Sequence, residues 1–174
     1  MKLHTCRTIA ITSLFISLKV SDVNIKFFDI FLNTDDMLSA MILDYEDIAD
    51  YILKNYRNKV VEVGVGSMPH VALALKDRLD VVVTDINEQE YEGIRFCRDD
   101  IFDPDMGIFK NATLIYSIRP PIDIQEAMAK IAKEVGSDML IRPFGSEKAD
   151  LDRICKSCRL VNYKKARLYI LKFK

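Results

Sequence analysis

Five residues whose types and spacing could do chemistry sit at or near the ends of successive apolar runs: Glu62, Gly64, Gly66, Asp85 and Asp99. Lys59-Val60-Val61-Glu62-Val63-Gly64-Val65-Gly66 is β-branched and closes on two glycines one residue apart, with Pro69 where a helix should begin. A strand that turns so sharply into a helix brings bare backbone and helix N–H groups up to a ligand. A second buried run, Val81-Val82-Val83-Thr84, follows with Asp85 at its end, at the spacing where one carboxylate accepts both hydroxyls of a ribose. Asp99 and Asp100 end a third run, where one carboxylate can accept an adenine amino proton while a neighbouring backbone N–H serves a ring nitrogen. Glu62 lies inside the first run, and a charge there must be paired or touch a ligand. The pattern points to a nucleoside-containing cofactor. A dinucleotide fingerprint wants a third glycine at the position of Pro69, which disfavours a turn closed around a pyrophosphate.

Arg119-Pro120 and Arg142-Pro143 follow the fourth and fifth runs. Two guanidinium groups at the carboxyl edge of a sheet can grip a phosphate or carboxylate of a second substrate, and Arg98 could join them. The competing use is local ion pairing, with Glu147 or Asp123 as the acids. Cys155-x-x-Cys158 is half a tetrahedral zinc site, and His4 and His70 are poor candidates to complete it, so no metal is expected. Those cysteines read as structural, late in a short helix. His70, at the start of the glycine-turn helix, reads as an ordinary helix-start residue that could reach the crevice. The chain has no Ser-His-Asp arrangement, no Walker lysine and no His-Glu-x-x-His.

These residues need elements to position them. Asp44-Tyr45-Glu46-Asp47 is an acidic first turn with a capping pattern, and Ile48, Ile52 and Tyr56 recur at helical spacing. Strands are expected near 60–65, 81–84, 94–98, 112–118 and 138–141. A helix is expected after Pro69 through Val71, Leu75 and Leu79. The clearest helix runs from Ile122 to Val135 and stops at Gly136. The stretch 103–107 reads as a loop, 147–156 as a short helix and 166–173 as one closing strand. Strands and helices alternating over short connections give an α/β fold with a mostly parallel sheet covered on both faces.

A chain of 174 residues, 49% hydrophobic and 29% charged, suits one principal domain with its own core. The net charge of −1 gives no field to draw in nucleic acid, the basic residues are scattered, and no aromatic-basic stripe supports such a partner. Four cysteines do not read as a disulfide scaffold, and the cytoplasm is the expected compartment. Residues 9–18 have the apolar centre of an export signal but are short and hydroxyl-rich for a membrane span. Composition breaks near Met41. The expected organisation is an N-terminal extension over 1–40, either poorly ordered or preceding the natural start, and a cofactor-binding domain over 41–174.

Glu62-x-Gly64-x-Gly66, Asp85 and Asp99 resemble the cofactor half of a class I S-adenosylmethionine-dependent methyltransferase, over about residues 60–100. That resemblance implies a three-layer, Rossmann-like sheet. In it the Gly64–Gly66 loop passes the methionine part, Glu62 lies near its amino group, Asp85 holds the ribose and Asp99 the adenine edge. A longer likeness, carried by 61–66, Thr84-Asp85-Ile86, 99–102, 114–121 and Leu140-Ile141-Arg142-Pro143, is to an uncharacterised archaeal family, UPF0146, and covers nearly all of 41–174. Amino-methylating enzymes often carry an acid or amide, then Pro-Pro and an aromatic, after the fourth strand. This chain has Ser117-Ile118-Arg119-Pro120-Pro121. One closing strand in place of a hairpin implies a trimmed sheet. The leading expectation is a protein that binds S-adenosylmethionine or a related nucleoside and, as an enzyme, methylates a small anion placed by Arg119 and Arg142. The alternatives are an NAD(P)-dependent oxidoreductase and a non-enzymatic nucleotide sensor or protein-interaction module.

Overall fold

The computed structural model describes residues 44–67 and 69–174. The expected N-terminal extension, 1–40, lies outside the described residues. The elements are α1 (Tyr45–Asn55), β1 (Lys59–Val63), α2 (His70–Leu75), β2 (Asp80–Asp85), β3 (Arg95–Arg98), α3 (Met106–Phe109), β4 (Ala112–Ile118), α4 (Ile122–Val135), β5 (Asp138–Arg142), β6 (Ser157–Tyr163) and β7 (Ala166–Lys172).

Among the described residues, seven strands form one sheet in the order β3-β2-β1-β4-β5-β7-β6. The first five are parallel, and β7 runs antiparallel to both β5 and β6. Alternate residues of the parallel strands enter two separate cores, as the twofold pleat requires. Val60, Val81, Val83, Leu114, Tyr116 and Leu140 pack under α1 and α2. Val61, Val63, Val82, Ile115, Met139 and Ile141 pack under α3 and α4. The expected three-layer, mostly parallel α/β architecture is what the described residues form.

The trimming falls on the connections and not on the sheet. One closing strand was expected; the chain ends in a full antiparallel hairpin, with Tyr163 paired to Ala166 at its turn. β6 is hard to read because it is an outer strand: Ser157, Arg159, Leu160 and Asn162 are exposed and no face is fully buried. Its turn has no glycine, and Lys164 itself takes φ 51°. The hairpin is fastened to α1 by the Tyr163 hydroxyl, which donates to Asp50 at 2.8 Å, and by the Lys165 N–H, which donates to Asp47 at 3.1 Å. Parallel strands are commonly joined through a helix. Here β2 crosses to β3 through 86–94 with none.

The helix expected over 147–156 is also absent, which takes Cys155 and Cys158 out of a helix. Its backbone is captured by Gln125, a fully buried residue of α4. The Gln125 amide donates to Pro120 O at 2.9 Å and Glu147 O at 3.4 Å, and accepts from Ala149 N at 2.9 Å. Ala149 and Leu151, two residues apart, are then both buried, a spacing that suits extended chain. A side chain that offers the backbone another partner wins here over local helix preference. Gln125→Ala, which leaves buried backbone groups unpaired, is expected to lower unfolding free energy by about 2 kcal/mol in urea titration. A loss below about 0.5 kcal/mol would show that the loop holds itself, since a change that small is typical of a surface site.

Candidate functional site

The carboxyl ends of β1, β2 and β3 converge on the glycine turn. Gly64 and Gly66 take φ 66° and 58°, left-handed values that disfavour any side chain. A Cβ at either position would meet no heavy atom of the described residues within 4 Å. Conformation, not crowding by the described residues, selects glycine, and those residues leave the space above the turn open. The turn is pinned from below, since Gly64 N and Val65 N both donate to Thr84 O, at 2.9 and 3.1 Å.

Asp85 ties the turn to β2. Its Oδ2 accepts from Gly66 N at 3.0 Å and its Oδ1 from Asn87 N at 2.9 Å. Each carboxylate oxygen has two acceptor sites, so capacity for ribose hydroxyls remains. The Tyr91 hydroxyl, from the helix-free 86–94 connection, donates to Gly66 O, and its ring meets Phe96 edge-on.

Asp99 follows β3 directly, with its N–H donating to Asp85 O at 3.1 Å. Its Oδ1 accepts from Asp105 N at 2.9 Å, while its Oδ2 is buried and has no hydrogen-bond partner. Burial, with Asp105, Asp100 and Asp103 nearby, pushes its carboxyl above the ordinary aspartate range. An orphaned buried oxygen of this kind asks for a donor from outside the chain. Asp100 is exposed and turns to its own loop, accepting from Phe102 N at 3.0 Å. Of the two neighbouring acids, Asp99 is the one aimed inward.

Glu62 is fully buried within β1 and pairs in register with Tyr116 of β4. Parallel neighbours in register project to the same face, and the Tyr116 hydroxyl donates to Glu62 Oε2 at 2.7 Å. The Ala72 N–H, in the first turn of α2, also donates to this carboxyl. Helix first turns carry N–H groups without intrahelical partners, so Glu62 binds the start of α2 to the sheet. Burial lifts its pKa to about 7 against those two donors.

The arginines form a second group at the ends of β4 and β5. Arg119 N donates to Arg142 O at 2.7 Å, with Arg119 at φ 59°. The Arg119 guanidinium lies 5.6 Å from the centre of the Phe144 ring. Arg142 is committed differently: Nε and Nη2 donate to Asp44 at 3.0 and 3.3 Å, and Nη1 to Pro143 O at 3.1 Å. Its ion pair goes to Asp44, not to Glu147 or Asp123. Asp44 accordingly makes no side-chain cap on α1, contrary to the capping pattern expected there.

Sequence reasoning missed the apolar members of this edge. Ile86, Phe102, Ile122 and Phe144 are among the exposed large hydrophobic residues, and each stands just beyond the carboxyl end of one of the strands β2 to β5. An apolar residue directly after Asp85, and another three after Asp99, were the available signals. Ser117, in place of an acid or amide, donates its hydroxyl to Val63 O at 2.6 Å and is closed into the sheet. Cys97, Cys155 and Cys158 are free thiols packed against the second core. No group of three or more potential metal ligands is found among the described residues, and no described helix is long and apolar enough to cross a membrane.

This sheet order and carboxyl-edge crevice define a Rossmann-like, methyltransferase-type fold. A TehB-like S-adenosylmethionine-dependent methyltransferase from Corynebacterium glutamicum superposes with TM-score 0.54 at 13% identity, over 82% of this chain and 95% of the other. Human N-acetylserotonin methyltransferase, solved with S-adenosylmethionine, gives 0.56 at 10% identity, over 79% of this chain and 54% of that one. At such identities the likeness is one of fold. The chain belongs to the uncharacterised protein family UPF0146, whose family model matches residues 45–173. The UPF0146 protein of Archaeoglobus fulgidus is 42% identical over 127 residues, 72% of this chain and 92% of the relative. That of Methanocaldococcus jannaschii is 35% identical over 130 residues, covering 72% and 91%.

Proposed function

We propose that the protein binds S-adenosylmethionine at the carboxyl ends of β1, β2 and β3 and presents it to a small anionic acceptor beside Arg119. The observation that carries this reading is the buried, unbonded Oδ2 of Asp99, next to a carboxylate and an open glycine turn. Asp99 suits an exocyclic amino group, Asp85 a pair of ribose hydroxyls, and Glu62 an ammonium group. Ile86 and Phe102 offer apolar surface for a flat base. When bound, the cofactor supplies a methyl group on an activated sulfonium, so the protein contributes alignment and exclusion of water more than acid–base groups. The fold of methyltransferases supports the reading without naming an acceptor.

Calorimetric titration of the full chain with S-adenosylmethionine, S-adenosylhomocysteine, NAD and NADP tests it. Micromolar binding of the two adenosyl compounds is expected. Asp85→Ala should weaken it by at least about a hundredfold, as loss of two charge-assisted hydrogen bonds implies. Because Asp85 also holds Gly66, Asp99→Asn is the milder control, with an expected loss of about tenfold. Preference for NAD or NADP would transfer the site to oxidoreductase chemistry, and silence from all four would remove the adenosyl reading.

A further inference from the structure

The overall charge of −1 conceals a segregation along the chain. Residues 153–174 hold eight of the 25 Lys and Arg and none of the 26 Asp and Glu, so the β6–β7 hairpin is basic on an otherwise acidic protein. All eight are exposed. Lys164 is committed to Asp47 and Asp50, and Lys172 to Asp138. Arg153, Lys156, Arg159, Lys165, Arg167 and Lys174 make no ion pair among the described residues. Like charges gathered on one element repel, and an anionic partner relieves that repulsion.

Strand pairing sorts the hairpin by face. Residues two apart in β6 share a face with their register partners in β7. On the side of the sheet that α3 and α4 cover, Leu160 pairs with Tyr169 and, one step nearer the turn, Asn162 pairs with Arg167. Leu160 is 45% exposed, and Asn162 and Arg167 are exposed, so the cover ends before this part of the hairpin. Tyr169 packs on the second core, and Lys148 Nζ lies 5.8 Å from its ring centre. Lys148 pairs only loosely with Asp152, at 3.8 Å. Because β7 runs antiparallel to both β5 and β6, the turn that carries Lys164 and Lys165 stands at the same sheet edge as the crevice. Aromatic, aliphatic, amide and cationic side chains that are scattered in sequence thus become neighbours on one face.

We infer that the β6–β7 hairpin binds single-stranded nucleic acid, with a base laid against Leu160 and Tyr169 and backbone phosphates on Arg167, Lys165 and Lys148. Unpaired bases stack on aromatic side chains with little regard to sequence, while the cations track the phosphates. Asn162 offers an amide to a base edge. A duplex hides its base faces and leaves Leu160 and Tyr169 without a use. An anionic membrane calls for several apolar side chains to enter it, and Leu160 is the one exposed large hydrophobic residue of the hairpin. The hairpin is separate from the glycine turn, so the inference goes beyond the adenosyl reading and stands or falls without it.

Fluorescein-labelled dodecauridylate is the probe, titrated with the full chain and followed by anisotropy from about 50 mM salt upward. The thymidylate dodecamer, an RNA duplex of the same length and phosphatidylserine vesicles are the comparisons. Saturable micromolar binding of a single strand, tighter than that of the duplex and weakening as salt rises, is expected; the tighter of the two dodecamers tells RNA from DNA. Arg167→Gln combined with Lys165→Gln should flatten the slope of log affinity against log salt by about 1.4, since each phosphate contact on a single strand contributes about 0.7. Tyr169→Leu should weaken binding by about tenfold with the slope unchanged, whereas Tyr169→Phe, which keeps the ring, should bind as the parent does. Four results would overturn the inference: no single-strand binding at the lowest salt, duplex binding of equal strength, a slope unchanged in the double variant, or capture by the vesicles without binding of either dodecamer.

Discussion

Arg142→Met is expected to destabilise the protein by about 3 kcal/mol, because it strands a buried carboxylate with no cation beside it. Asp44 is the residue left behind: its side chain is 7% exposed, against 20% for Arg142, and it holds both ion-pair hydrogen bonds. Pairing the change with Asp44→Asn should restore most of the loss, since the penalty comes from the orphaned charge and not from the missing pair. Urea denaturation of the two single variants and the double variant measures this. If Arg142→Met alone shifts stability by less than about 0.5 kcal/mol, the pair behaves as a surface contact. Arg142 would then be available to an anion, as its position after β5 first suggests.

Glu62 carries the second large effect, on pH. An ordinary glutamate titrates near 4.5, whereas burial holds the Glu62 proton up to about 7 in the folded protein. Between these values the folded state binds more protons than the unfolded one, so stability falls as pH rises. The contribution is full below 4.5, declines through the window and is gone above about 7. The size of the shift corresponds to about 3 kcal/mol for this buried group. Glu62→Gln presents the same combination of one acceptor and one donor as the protonated acid. The two proteins should be nearly equal in stability at the acid end. The Gln variant should gain by about that amount at the alkaline end. Parallel stability curves for the two proteins across the window would show that Glu62 is already ionised in the folded state.

Both predictions concern side chains whose importance is partly legible in the sequence. Glu62 stood out because a charge inside a β-branched run must have a partner, but only the β1–β4 register identifies that partner as Tyr116. Arg142 was legible as a cation at the carboxyl edge; its commitment to Asp44 was not, because the two are distant in sequence and meet only where the residue before α1 reaches the end of β5. The parallel strands read well from sequence because they are buried on both faces and therefore uniformly apolar, as at Val60–Val61 and Val81–Val83. β6 hid because an outer strand owes its pairing to β7 and shows little pattern of its own. The 147–156 segment misled for the opposite reason: its composition favours helix, and Gln125 overrides that from another element. Gly64, Gly66, Asp85 and Asp99 were singled out by spacing alone, and at the glycine turn Asp85 links its neighbours, accepting from Gly66 N at its carboxylate and from Asp99 N at its carbonyl.

The arrangement of that turn is the centre of the functional account, and a crystal structure of the protein grown with S-adenosylhomocysteine tests it most directly. The nucleoside is expected over Gly64 and Gly66, its ribose hydroxyls on Asp85 and its exocyclic amino group within hydrogen-bond distance of Asp99 Oδ2. Density for the nucleoside elsewhere, for instance in the 230 Å³ depression beside Lys59, Arg95 and Cys97 at the opposite edge of the sheet, would contradict it.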